Sequence, residues 1–227
     1  MIFPRPVRAV IFDMDGLLVD TEAPVRDALM SAAAAIDREL PLPVFMSMVG
    51  TTGAHSDRIL VEHFGAGFDL AAYAADVRRL LETAFDIGVP LKSGAAELLA
   101  LLDETGLPKA LVTSSSRRAV DRHLPAEVVA RFATMITSES VEHGKPHPEP
   151  YLKAAAALGV APRDCLALED SHNGIRSAHA AGMMAVMVPD LLEATDEMRE
   201  KTVAIAETLH DVRAALSRPD AEAASRR

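Results

Sequence analysis

Two rhythms alternate along the chain. Short apolar runs, such as "AVIF" at 9–12, "CLAL" at 165–168 and "MMAVMV" at 183–188, are separated by longer stretches in which apolar residues recur every three or four positions. The first pattern predicts strands and the second amphipathic helices. Strands are predicted over 8–12, 110–113, 134–137, 165–168 and 183–188, with a shorter one over 203–206. Helices are predicted over 94–105, 117–123, 149–158 and 173–181. Gly106, Gly159 and Gly182 each follow a helical run, as helix ends favour. Strands alternating with helices predict an α/β protein: a Rossmann-like parallel sheet flanked by helices. Strands with near-continuous apolar character are expected to be covered on both faces.

One segment breaks the alternation. "APVRDALMSAAAAIDREL", "AHSDRILVEHF" and "LAAYAADVRRLLETAF" have helical spacing, and no strand pattern lies between them. The expected organisation is therefore a discontinuous α/β core, residues 1–21 plus 88–227, with an all-helical domain over 22–87 inserted after the first strand. "VPLKSG" reads as the return crossing, and the polar end, 217–227, as a flexible tail.

Composition narrows the function classes. The 227 residues are 49% hydrophobic and 25% charged, which suits a globular protein with a substantial core. The formal net charge of -10 argues against nucleic acid as a partner. It does not exclude anionic substrates, because a bound metal ion reverses the local field. No apolar run reaches the roughly 20 residues that span a bilayer, so no membrane partner is expected. The single cysteine, Cys165, and the absence of a signal-peptide pattern suit the cytoplasm. The oligomeric state is not legible, and a monomer is the simpler expectation.

The chemistry gathers at predicted strand ends, where ligands bind in open parallel sheets. The first strand ends in Asp13 and Asp15, the second in Thr113, followed by Ser114 and Ser115, and the fourth in Glu169 and Asp170. "HGKPHPEPY" adds Lys145 at the start of a helix. Paired carboxylates repel unless a cation or proton compensates. Mg²⁺ held by carboxylates and phosphate oxygen satisfies that need, so Mg²⁺ and a phosphate monoester are the expected partners. An ionised aspartate attacks phosphorus, while a second one with a raised pKa protonates the leaving oxygen. Residues two apart on an extended chain face one substrate, and Gly16 supplies a bend. Ser115 and Ser116 are read as caps of the following helix. His143 and His147 flank Lys145, but Pro146 and Pro148 interrupt any helix between them, so both are read as loop residues.

With these pieces in place, the sequence resembles the haloacid dehalogenase superfamily of phosphotransferases, and within it the branch of β-phosphoglucomutase and small sugar-phosphate phosphatases. "DMDG" resembles the first motif, implying Asp13 as nucleophile and Asp15 as general acid/base. "LVTSSS" resembles the second, implying Thr113, with Ser114 beside it, as phosphate-binding groups. "GKPHPEPY" resembles the third, implying Lys145 as the cation that steadies nucleophile and phosphate. "LEDSHNGI" resembles the fourth, implying Asp170 and Glu169 as metal ligands, joined by Asp13 and the backbone carbonyl of Asp15. The insertion matches the family's helical cap, which closes over substrate. β-Phosphoglucomutases carry a histidine where this chain has Val25, which disfavours mutase activity. The expectation is an Mg²⁺-dependent phosphatase acting on a small phosphorylated metabolite, a sugar phosphate first of all, through an aspartyl-phosphate. A phosphohexomutase is the alternative, and a non-catalytic phosphoacceptor domain is a remote one.

Overall fold

A computed structural model describes residues 1–49, 53–86 and 88–217. The chain divides into two compact units: Met1–Val19 joined by the chain from Pro90 onward, and Asp20–Val89. In the first, β1 (Ala9–Phe12), β2 (Lys109–Val112), β3 (Thr134–Ile136), β4 (Cys165–Glu169), β5 (Met184–Met187) and β6 (Ala204–Ile205) form one sheet in the order β3-β2-β1-β4-β5-β6. Every pairing is parallel. The α/β expectation holds, and each predicted strand is present with its ends shifted by at most one residue.

The two faces of this sheet are built from different side chains. In register, Ala110, Ile11, Ala167 and Ala185 form one row across β2, β1, β4 and β5. Leu111, Phe12, Leu168 and Val186 form the next row, on the opposite face. The first row belongs to a core cluster with Tyr151, Ala154 and Ala155 of α8 (Glu149–Leu158) and Ile175 and Ala178 of α9 (His172–Ala180). Small side chains there let two helices approach the backbone closely. All residues of β1 are fully buried, as the unbroken apolar pattern requires. Cys165 opens β4 in this core, where burial pushes its thiol up to about 11.

Close approach is sharpest at Gly174 on α9. A Cβ there would overlap the carboxyl group of Glu169 at the end of β4. Ser171 caps this helix, its Oγ accepting from the Gly174 N–H at 3.1 Å.

The second unit holds four helices: α1 (Glu22–Ala34), α2 (Leu42–Met48), α3 (Gly53–Phe64) and α4 (Leu70–Asp86). The helix predicted through residue 40 stops at Ala34, and Asp37 turns the chain with φ 55°. The short α2 has no counterpart in the sequence prediction; it begins between Pro41 and Pro43, and proline is tolerated in a helix's first turn. Phe64, Phe68 and Tyr73 pack ring on ring with centroids 4.6–5.7 Å apart, and Arg38 lies over Phe64 at 5.7 Å. Tyr73 Oη donates to the Leu29 carbonyl across the bundle at 2.7 Å. A cavity of about 370 Å³, lined by Val25, Leu29, Phe45, Met48, Leu60 and Tyr73 among others, opens within this unit. The tail expected over 217–227 lies, from 218 on, outside the described residues.

Two substitutions test the packing. Ala167→Leu inserts bulk into the small-residue row and is expected to cost about 1–3 kcal/mol, read as a lower urea midpoint at unchanged slope. Gly174→Ala would ordinarily stabilise a helix by up to about 1 kcal/mol. Here it is expected to destabilise, because the new methyl meets Glu169, and a midpoint at or above wild type would contradict the close approach.

Candidate active site

The strand order places β1 beside β4 where the direction of sheet growth reverses, the crevice in which doubly wound sheets bind ligands. Phe12 pairs with Leu168, so the next residues, Asp13 just past β1 and Glu169 at the last position of β4, stand at the same level. The Asp13 N–H donates to the Leu168 carbonyl at 3.0 Å and fixes that exit. Gly16, at φ +81°, then turns the chain back, its N–H bonded to the Val19 carbonyl at 2.9 Å. A Cβ on Gly16 would strike Oδ2 of Asp170, so only glycine permits the loop to lie against that carboxyl.

Lys145 is the centre of the cluster. It lies in the loop before α8, not at the start of that helix as the sequence suggested. Its Nζ donates to Asp13 Oδ1 at 2.5 Å, Glu169 Oε1 at 2.5 Å and the Val112 carbonyl at 3.0 Å, which uses all three protons. The peptide bond to Pro146 is cis. Glu169 is fully buried and saturated on both oxygens. Oε1 also accepts from Tyr151 Oη at 2.7 Å, and Oε2 accepts from the Ser171 hydroxyl at 2.9 Å and the Ser171 N–H at 3.2 Å. Tyr151 lies entirely in the core, its ring 5.4 Å from Lys145 Nζ.

Asp15 is held apart from this group. Its Oδ2 accepts from Ser115 Oγ at 2.7 Å and, at a long 3.4 Å, from Thr113 Oγ1. Thr113 Oγ1 in turn accepts from the Ser115 N–H at 2.9 Å. His123, near the end of α6 (Arg117–His123), brings Nδ1 to 3.7 Å from Asp15 Oδ1. The reading of Ser115 as a cap is thus corrected: Ser116 caps α6, accepting from the Ala119 N–H, while Ser115 turns inward to Asp15. Ser114 is exposed. Sequence spacing singled out neither Ser115 nor His123; the helix register after the motif places both beside Asp15.

Charge within the cluster is unbalanced. Donor oxygens of Asp13, Glu169 and Asp170 lie within 4.8 Å of one another. Three carboxylates against the one ammonium of Lys145 leave two negative charges. Burial pushes the Asp13 carboxyl well above the usual carboxylate range; Lys145 opposes this, and the charges of Glu169 and Asp15 add to it. Asp170 is raised in the same way, by burial and then by Asp13 and Glu169. Burial also disfavours the Lys145 charge, but Asp13 and Glu169 outweigh it and hold the ammonium well above its ordinary value. Hard oxygen donors with a deficit of two positive charges fit a divalent cation such as Mg²⁺.

A second convergence, of His143, His147 and Glu149, sits at the surface. Here the carboxylate is already occupied: Oε1 accepts from the Glu142 N–H at 3.0 Å and pairs with Lys153 at 2.8 Å, and Oε2 accepts from the His143 N–H at 3.0 Å. His147 Nδ1 accepts from the Glu149 N–H at 3.2 Å. These bonds hold the loop that carries Lys145, in keeping with the reading of both histidines as loop residues.

Comparison with known proteins agrees with this geometry. The family model for haloacid dehalogenase-like hydrolases matches residues 7–182. The plasmid-encoded protein CbbY of Cupriavidus necator is 33% identical over 206 residues, covering 84% of this chain and 81% of that protein. Hexitol phosphatase B of Escherichia coli K12 is 33% identical over 198 residues, covering 83% and 86%. Among solved structures, a hydrolase of this family from Deinococcus radiodurans, with bound phosphate and sodium, superposes with a TM-score of 0.81 at 26% identity, covering 95% of this chain and 96% of that one. A putative β-phosphoglucomutase from Thermotoga maritima gives 0.77 at 26% identity, covering 92% and 100%. The chain belongs to the haloacid dehalogenase-like hydrolase family and is an enzyme of the phosphatase kind.

Proposed function

We propose that the protein is an Mg²⁺-dependent phosphatase that hydrolyses a small phosphorylated metabolite, a sugar phosphate first of all, through an aspartyl-phosphate on Asp13. The observation that carries this reading is the Lys145 ammonium clamped between Asp13 and Glu169, with Asp170 alongside and two negative charges left over. Asp13, Asp170, the Asp15 carbonyl and Glu169 are the groups that would hold Mg²⁺, which when bound supplies the positive charge that lets an anionic phosphoryl group approach. Because the Glu169 oxygens already accept four hydrogen bonds, its contribution is the weakest of these.

The chain's own residues then divide the work. Lys145 holds one oxygen of Asp13, and among the described residues the other accepts no hydrogen bond, so it is the one that attacks phosphorus. As the bond from phosphorus to the leaving oxygen breaks, Asp15 delivers a proton to that oxygen. Water then attacks the aspartyl-phosphate while Asp15 takes its proton, releasing phosphate and restoring Asp13. Ser115 and Thr113 orient Asp15, with Thr113 and Ser114 as phosphate contacts. The helical unit is the natural source of substrate selection, and the names of the related hexitol and pseudouridine phosphatases point to phosphorylated polyols and sugars.

Asp13→Asn is expected to reduce phosphate release to background across a panel of phosphorylated metabolites, and turnover comparable to wild type would refute the nucleophile. Lys145→Met is expected to lower kcat by about 100-fold or more, since it removes a preorganised cation from the reacting centre. Chelation should abolish turnover and added Mg²⁺ restore it; undiminished activity in excess chelator rules out the metal. Likeness to a β-phosphoglucomutase favours one other reading, so the same panel is assayed for hexose-phosphate isomers as well as free phosphate. Isomer formation dependent on a bisphosphate would replace hydrolysis with phosphoryl return.

A further inference from the structure

One buried oxygen beside this cluster has no donor. Asp190 follows β5, and its carboxyl is 14% exposed. Oδ1 accepts from Lys92 Nζ at 2.6 Å. Oδ2 is sealed from solvent and accepts no hydrogen bond from any described residue. Such an atom is costly, and native structures rarely leave one without a water or ion to satisfy it. The ion pair does not explain it, because Lys92 engages the other oxygen.

Its surroundings identify the missing donor. A Cβ on Gly16 would strike Asp170 Oδ2 and come within 3.4 Å of Asp190 Oδ2. Two carboxyl groups from separate strand ends thus converge on the glycine that follows Asp15. Both are acceptors when ionised, so what lies between them must donate to both or be a cation. Lys92 neutralises Asp190, which therefore adds an acceptor to this corner without deepening its charge deficit.

We propose that Asp190 is the outer partner of the divalent-cation site, its Oδ2 accepting a hydrogen bond from the hydration shell of a cation held by Asp13 and Asp170. The inference rests on the cation reading given above. Mg²⁺ retains several of its waters in protein sites, and these need acceptors. Groups one layer out from a metal typically change its affinity about 10–100-fold. The bond from Lys92 to Oδ1 keeps the carboxylate aimed.

The test is equilibrium binding of Mn²⁺ to the full chain, followed by electron paramagnetic resonance of the free ion, with no substrate present. Asp190→Asn is expected to weaken binding about 10–100-fold while the melting temperature without metal stays near wild type. Lys92→Met breaks the ion pair but keeps the oxygen, and is expected to weaken binding less. The double variant Lys92→Met/Asp190→Leu leaves no charge unpaired and no acceptor at this position, and is expected to show the full loss, which keeps the test decisive if Asp190→Asn alone does not fold. Wild-type affinity in Asp190→Asn or in the double variant overturns the assignment, as does an equal loss in Lys92→Met. Asp170→Asn separates the two layers of the argument. If it binds Mn²⁺ like wild type, or if wild type binds none, the cation site itself is misplaced and the role of Asp190 falls with it.

Discussion

Everything at the strand ends depends on one buried ammonium. Asp13 and Glu169 stand at the ends of adjacent strands at the same height, a placement in which two ionised carboxylates need a counterion. Lys145 provides it from a loop far away in sequence, and pins the end of β2 as well through the Val112 carbonyl. Three strand ends are thus tied to one nitrogen. Isolated burial of a lysine would drive off its proton; here two carboxylates within hydrogen-bond reach reverse that tendency. What the structure shows of these pairs is placement; buried ion pairs seldom stabilise a fold on balance.

The scaffold that makes this possible is asymmetric. On one face of the sheet, alanines let α8 and α9 sit close, so that Tyr151 and Ser171 reach Glu169 from the helices above. On the other, larger residues such as Phe12, Leu111 and Leu168 fill the space. Glu169 is consequently locked by four hydrogen bonds and behaves as a fixed element of the framework. Asp15 is held by two hydroxyls at its loop and keeps 29% of its side chain exposed.

Much of this was legible in the sequence, for definite reasons. The strands could be read because burial on both faces leaves unbroken apolar runs, and the acidic pairs stood out because they terminate such runs. Lys145 could be read because it is flanked by glycine and proline in a recognisable motif. Ser115 was missed because in a run of three serines local capping rules do not say which hydroxyl turns inward; that is decided by where α6 begins. His123 was missed because its approach to Asp15 is set by helix length. Tyr151 was quoted within its motif but given no task, as nothing local shows that its hydroxyl meets a carboxylate at the end of another strand. Gly174 was invisible for the opposite reason: its importance lies in an atom it lacks.

The strand order has a consequence for how the protein is made. β1 is the first strand to leave the ribosome, yet its partners begin at Lys109 and Cys165. The helical unit, residues 20–89, is complete before either partner exists. During synthesis every residue of the small bundle therefore emerges while a fully apolar strand waits unpaired at its N-terminal side. Such parallel, long-range pairing is slow and exposes sticky segments in the interval. The insertion thus does more than extend the core: it sets a delay through which the nascent chain must protect its own central strand.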